Sequence, residues 1–217
     1  MVERLICLLI GYVCGLFQTS YIYGRAHGID IRNYGSGNAG TTNALRTLGK
    51  KAGLITLLGD AVKCILAVVT VSLIYGSIHP EYILLLRLYA AAGTILGHNF
   101  PVYLRFRGGK GIAATAGLLI SYDLRVAVTA LIVFIIVFLT THYVSLGSML
   151  VYAVFLIGTV ILGQTGQFHM AQNYLWEMYA VAAFLTVLAI YRHRANIMRL
   201  VKGNENKTYI SGKKKKE

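Results

Sequence analysis

Four stretches of the chain concentrate side chains able to hold an anion or activate a hydroxyl: "NYGSGNAGTTNALR" at 33–46, "GHNFPVYLRFRGGKG" at 97–111, "THYVSLGS" at 141–148 and "YRHRANIMRLVKGNENK" at 191–207. In the first, Gly35, Gly37 and Gly40 stand at G-x-G-x-x-G spacing, with Asp60 about as far downstream as a ribose-binding acid. A dinucleotide turn, however, follows a parallel strand and opens a helix packed on a sheet, whereas this one follows an apolar stretch of membrane length. The glycines then serve a simpler end, letting backbone N–H groups approach a phosphate without a Cβ in the way. Ser36, Asn38, Thr41, Thr42 and Asn43 add short polar groups, and Arg46 adds a guanidinium fork suited to phosphate oxygens.

The second stretch repeats this chemistry. In "FRGGKG", Gly108, Gly109, Lys110 and Gly111 lead into apolar residues at the expected start of a helix, where a lysine and a helix N-terminus both favour an anion. Gly111 stands where a Walker loop needs Ser or Thr, so a nucleoside triphosphate is not indicated. His98 and His193 lie within the polar stretches, and Asn196 sits three residues after His193, on one helical face beside basic residues. None of the six histidines has an Asp five positions on, and no pair has the spacing of a helical metal site, so no metal or cofactor is expected.

The elements carrying these stretches read as membrane helices. Of the residues 56% are apolar and only 13% charged, about half the charge of a soluble domain, and mean hydropathy is +0.62. The expected fold is an all-α integral membrane protein of about seven spans: Leu5 to Tyr23, Gly53 to Tyr75, Tyr82 to Gly97, a short Ile112 to Tyr122, Val126 to Thr141, Leu146 to Leu162 and Tyr174 to Tyr191. The first lacks a convincing small-residue cleavage site and reads as a retained span. Cys7, Cys14 and Cys64 fall inside apolar stretches and read as small core residues. Asp60 and Lys63, three apart, read as a structural ion pair inside the second span, and Arg87 and Glu177 are further intramembrane charges.

Charge sets the orientation. Apart from Arg4, Lys63, Arg87 and Arg125, seventeen of the 21 lysines and arginines fall on one side of this topology, which predicts an outside N-terminus and a cytoplasmic C-terminus. The net charge of +13 follows span ends rather than an aromatic-interleaved face, so it indicates anionic membrane lipid and no nucleic acid. All four polar stretches then share the inner interface, which argues for one site there. A small-solute or anion transporter is the alternative, but it calls for broken helices near the midplane and polar sites reachable from both sides. A lipid-binding scaffold accounts for the basic tail but not for the grouping of His193, Asn196, Arg46 and Lys110.

Taken together and in order, the stretches resemble the membrane-embedded acyl-phosphate glycerol-3-phosphate acyltransferase family of bacterial phospholipid synthesis. "YGSGNAGTTNALR" is similar to its first motif, "GHNFPVYLRFRGGKG" to its second and "YRHRANIMRLVKGNENK" to the C-terminal part of its third, with "YVSLGS" between. The resemblance implies transfer of a fatty acyl group from acyl phosphate to the 1-hydroxyl of sn-glycerol 3-phosphate, giving lysophosphatidic acid and phosphate at the cytoplasmic face of the bacterial cell membrane. It also implies seven spans, no covalent nucleophile, no metal and no cofactor.

Residue by residue, it implies that Ser36, Arg46 and Lys110 hold substrate phosphate, with Ser145 and Ser148 as further contacts, and that Gly108, Gly109 and Gly111 form the acyl-phosphate loop. His193 and Asn196 orient the glycerol hydroxyls, either His193 or the substrate's own phosphate acting as base. Asn38, Thr42, Asn43, His98 and Glu205 support. Thr41 departs from the family's frequent Ala, and His142 from a frequent Arg. Residues 1–210 are expected to form a single polytopic acyltransferase domain and 211–217 a basic, disordered cytoplasmic tail, which faces lipid and is a candidate docking element for an acyl-phosphate-producing enzyme.

Overall fold

The computed structural model describes residues 1–209; Ile210 and the lysine tail expected over 211–217 lie outside the described residues. All regular structure in that range is helical: α1 (Val2–Gly15), α2 (Thr19–Ala26), α3 (Thr41–Leu48), α4 (Lys50–Tyr75), α5 (Ile83–Asn99), α6 (Ile112–Tyr122), α7 (Leu124–Thr141), α8 (Val144–Gln164), α9 (Gln172–Arg192) and α10 (Arg194–Val201), with short 3-10 turns between some of them. Among the described residues, six helical segments are long and apolar enough to cross a bilayer, α1 and α2 counting as one. Helices suit that solvent because each satisfies its own backbone polar groups.

The first apolar stretch is not one continuous helix. Residues 16–18 interrupt it, freeing backbone carbonyls at membrane depth, and the charges of α4 meet them. Lys63 Nζ donates to Phe17 O at 2.6 Å, while Asp60 lies 2.9 Å from Lys63 and accepts from Thr19 Oγ1 at 2.9 Å. Gln18 Nε2 donates to Gly15 O at 3.1 Å. The Asp60–Lys63 ion pair thus does more than neutralise itself, because it occupies a break whose polar backbone would otherwise be stranded.

α1 packs along α5 more extensively than any other pair of helices. The cause is written as two small-residue repeats, Gly11-xxx-Gly15 and Gly93-xxx-Gly97. A Cβ on Gly11 would stand 1.9 Å from Ala90 O, and one on Gly93 2.0 Å from Leu8 O. Backbone-to-backbone approach of this kind is how helices associate where lipid removes the hydrophobic drive.

α6 is the short apolar helix, 11 residues and about 17 Å of rise against roughly 30 Å of hydrocarbon. Gly117 lets it lie on α4, since a Cβ there would meet Ala61 O at 2.2 Å, and Thr115 pairs with the buried Tyr152 hydroxyl of α8. A helix too short to fill its slot leaves space at its N-terminal end, and the site lies there. Glu177, by contrast, is tied to Arg4 at 2.5 Å and to the Tyr89 hydroxyl at 2.9 Å, away from that space.

Candidate active site

The N-terminus of α6, the C-terminal ends of α5 and α9, the start of α8, helix α3 and residues 205–208 close around a cavity of about 1070 Å³. The four polar stretches, scattered over 175 positions from 33 to 207, converge here because each caps or joins a helix at this end of the bundle. All the site residues expected from the sequence line it except Gly109, which sits behind the wall.

The glycine loop is pressed onto the end of α5. Gly108 N–H donates to Asn99 O at 3.2 Å and Gly109 N–H to His98 O at 3.1 Å. A Cβ on Gly108 would stand 2.0 Å from His98 O, and one on Gly109 2.1 Å from His98 Nε2. These two glycines therefore serve close packing, and their N–H groups are already used. Backbone donors without a partner inside the helix begin later, at the first turn of α6, where Ile112 and Ala113 line the cavity. Gly111 begins that turn with φ +81°, a conformation that favours glycine.

Lys110 Nζ reaches across to Asn196 Oδ1. Asn196 in turn donates Nδ2 to Glu205 Oε1 at 2.7 Å; the same oxygen accepts from Ser145 Oγ at 3.0 Å, and Glu205 Oε2 accepts from Arg199 Nε at 2.7 Å. Burial opposes ionisation of Glu205, but the bonds from Asn196, Arg199 and Ser145 outweigh it and hold its pKa below the ordinary value. One carboxylate thus fixes the Asn196 amide with its oxygen toward Lys110.

Burial brings the Lys110 ammonium down to about 8; Glu205 opposes the shift, and Arg199, Arg192 and Arg46 reinforce it. Burial and the Lys110 charge bring His193 to about 4, so its imidazole is neutral near pH 7. Its Nδ1 lies 2.8 Å from the Ala189 carbonyl, which can only accept. That contact assigns the ring proton to Nδ1 and leaves Nε2 as an acceptor.

Arg46 Nη2 donates to Asn206 O at 3.1 Å and to Thr208 Oγ1 at 2.5 Å. Asn43 organises the first loop, accepting from Ser36 N–H at 2.9 Å and donating to Ile31 O at 3.1 Å and Tyr34 O at 3.0 Å. Ser148 Oγ returns its proton to Val144 O at 2.7 Å, as helical serines do. His98 stands beneath the loop, 2.9 Å from Lys63.

Sequence reading overlooked Arg192, Asn206 and Thr208 as wall residues. Arg192 was legible as the neighbour of His193, and Asn206 lay within the fourth polar stretch; Thr208 falls just beyond it. The chemistry available is anion recognition, with Arg46, Lys110 and Arg199 around one carboxylate, beside a neutral imidazole that accepts a proton or a hydrogen bond.

Comparison with known proteins shows the family. The family described as glycerol-3-phosphate acyltransferase matches residues 5–203. A glycerol-3-phosphate acyltransferase of Clostridioides difficile (strain 630) is 42% identical over 205 residues, covering 94% of each chain. One of Bacillus subtilis (strain 168) is 42% identical over 201 residues, covering 92% of this chain and 95% of the relative. The crystal structure of PlsY, an integral membrane glycerol 3-phosphate acyltransferase, superposes in its glycerol 3-phosphate form with TM-score 0.79 at 30% identity, over 95% of this chain and 96% of that one. Its lysophosphatidic acid form gives 0.77 at 29% identity, over 95% of each chain.

Proposed function

The chain belongs to the glycerol-3-phosphate acyltransferase family, a multi-pass membrane protein that acylates glycerol 3-phosphate in phospholipid biosynthesis, and on that premise we propose that it takes the acyl group from an acyl phosphate and delivers it to the 1-hydroxyl, at the cytoplasmic face of the bacterial cell membrane. In this reading α6 is a seventh, short span, the N-terminus lies outside and the basic end inside. Residues 1–210 then make one catalytic domain, and the lysine tail serves lipid and, by recruitment, an enzyme that makes acyl phosphate.

One observation carries the donor assignment: a single cavity is lined by Ser36 and Arg46 from the first polar stretch, by Lys110 and the first turn of α6 from the second, and by His193, which in this reading makes two phosphate-holding sets. Glycerol 3-phosphate accounts for one, and a donor that brings its own phosphate accounts for the other. Ser145 and Ser148 complete the floor, and Leu57, Ile112, Phe134 and Phe138 give the acyl chain an apolar wall.

An acyl phosphate is already activated, so positioning and charge stabilisation suffice. The 1-hydroxyl, held by His193 Nε2 and Asn196, attacks the acyl carbon; the carbon–oxygen bond to phosphate breaks, an ester forms and inorganic phosphate leaves against Lys110. The hydroxyl proton goes to the stronger base. With His193 near 4 and a phosphate monoester's second ionisation at about 6, that base is the phosphate of glycerol 3-phosphate, with His193 orienting. The small-solute transporter alternative has no support here: the polar groups open at one end of the bundle.

Given an acyl phosphate and glycerol 3-phosphate, the purified protein should release one inorganic phosphate for each lysophosphatidic acid formed. Lysophosphatidic acid without stoichiometric phosphate would overturn the donor assignment.

A further inference from the structure

The glycine loop is gripped from a second direction. Arg192, the last residue of α9, donates Nη2 to Gly109 O at 2.7 Å and to Gly108 O at 3.2 Å, and its guanidinium carbon lies 5.1 Å from the centre of the Phe100 ring. An arginine closing a membrane helix ordinarily extends toward the headgroups. This one turns inward to two carbonyls, and its Nε is buried without a hydrogen-bond partner, a desolvation cost that calls for an explanation.

Two consequences follow from where those carbonyls stand. Left free, the oxygens of Gly108, which lines the cavity, and of Gly109, just behind its wall, would put negative partial charge close to an anion site; Arg192 holds them back and covers that charge. The next residue along the chain is His193, so a single side chain ties the loop carrying Lys110 to the helix end carrying the hydroxyl-orienting imidazole. One guanidinium nitrogen serves both carbonyls while the planar group lies over an aromatic ring; an ammonium is a point charge with no planar face to stack.

We propose that Arg192 is a positioning residue for acyl transfer, setting the distance between the Lys110 loop and His193 so that donor and hydroxyl meet at reacting distance. The inference rests on the roles given above to Lys110 and His193. It places Arg192 on the protein side of the loop, not on either substrate. Misplacement of about 1 Å at such a junction costs turnover rather than binding.

The test uses full-length protein in lipid, wild type beside Arg192→Gln and Arg192→Lys, with labelled glycerol 3-phosphate binding used to count competent sites in each preparation. Expected for Arg192→Gln is a kcat per competent site at least tenfold below wild type, with KM for both substrates within about threefold. Arg192→Lys should fall at least threefold in the same way, and it decides the matter if the glutamine variant does not fold. Unchanged kcat per competent site would reduce Arg192 to a stabilising role and overturn the proposal. A KM raised tenfold or more for one substrate at unchanged kcat would overturn it in favour of direct phosphate contact. Wild-type turnover with a donor other than acyl phosphate would fail the donor assignment alone, since the same comparison runs with that donor.

Discussion

Residue types and spacing made most of the cavity wall legible: Ser36, Arg46, Lys110, His193 and Asn196, scattered along the chain, share one space. What spacing could not tell was the use each group makes of its neighbours. Gly108 and Gly109 read as an anion cradle, yet their N–H groups are bound to Asn99 and His98. The pKa directions carry two predictions. Since Lys110 in the free protein loses its proton at about 8, and only the ammonium attracts a phosphate, kcat/KM should fall as pH rises through that value. Lys110→Arg should move the descending limb upward, and a limb that stays put would remove Lys110 from it. For His193, neutral down to about 4, His193→Ala should lower kcat at least tenfold, about 1.4 kcal/mol of barrier, while leaving the acidic limb in place because that limb belongs to substrate phosphate. Disappearance of the acidic limb would make His193 the base instead, and unchanged kinetics would remove it from the site.

Among the elements, hydropathy located the long helices well, with ends displaced by two or three residues where polar termini extend beyond the apolar run, as α4 does in beginning at Lys50. It did not separate the two helices at 16–18, because Gln18, Thr19 and Ser20 read as a few polar residues within an apolar stretch that continues to Tyr23; a further signal lay in α4, where Asp60 and Lys63 supply the partners a break requires. The shortness of α6 was visible but ambiguous until packing showed it leaving room for the glycine loop. The close crossing of α1 and α5 was available in the sequence as two Gly-xxx-Gly repeats. Gly93→Val would drive a side chain into the backbone of α1 at Leu8, where no rotamer gives relief. Overpacking of this order costs about 1–3 kcal/mol, so a clearly lowered thermal midpoint in detergent is expected. A midpoint equal to wild type would contradict the crossing.

For the molecule as a whole, the polar stretches meet at one cavity, which among the described residues is also lined by Arg32, Arg46, Arg105, Arg107, Lys110, Arg192 and Arg199. Sequence patterning exposed this because positive charge follows membrane sidedness; loop order and closure around a single cavity came only from packing, since α3, α10 and residues 205–208 make few apolar demands of their own. The orientation has its own test: single cysteines at Lys51 and at Gln172, introduced into a chain whose three natural cysteines are replaced, should be labelled from the inside and the outside of intact cells respectively. The reverse pattern would overturn the assignment. The central claim, that one cavity pairs glycerol 3-phosphate with an acyl phosphate, is met most directly by presenting purified protein in lipid with labelled glycerol 3-phosphate and, side by side, palmitoyl phosphate, palmitoyl-CoA and a palmitoyl carrier-protein thioester. The account predicts lysophosphatidic acid from palmitoyl phosphate alone; product from a thioester alone, or from no donor, would contradict it.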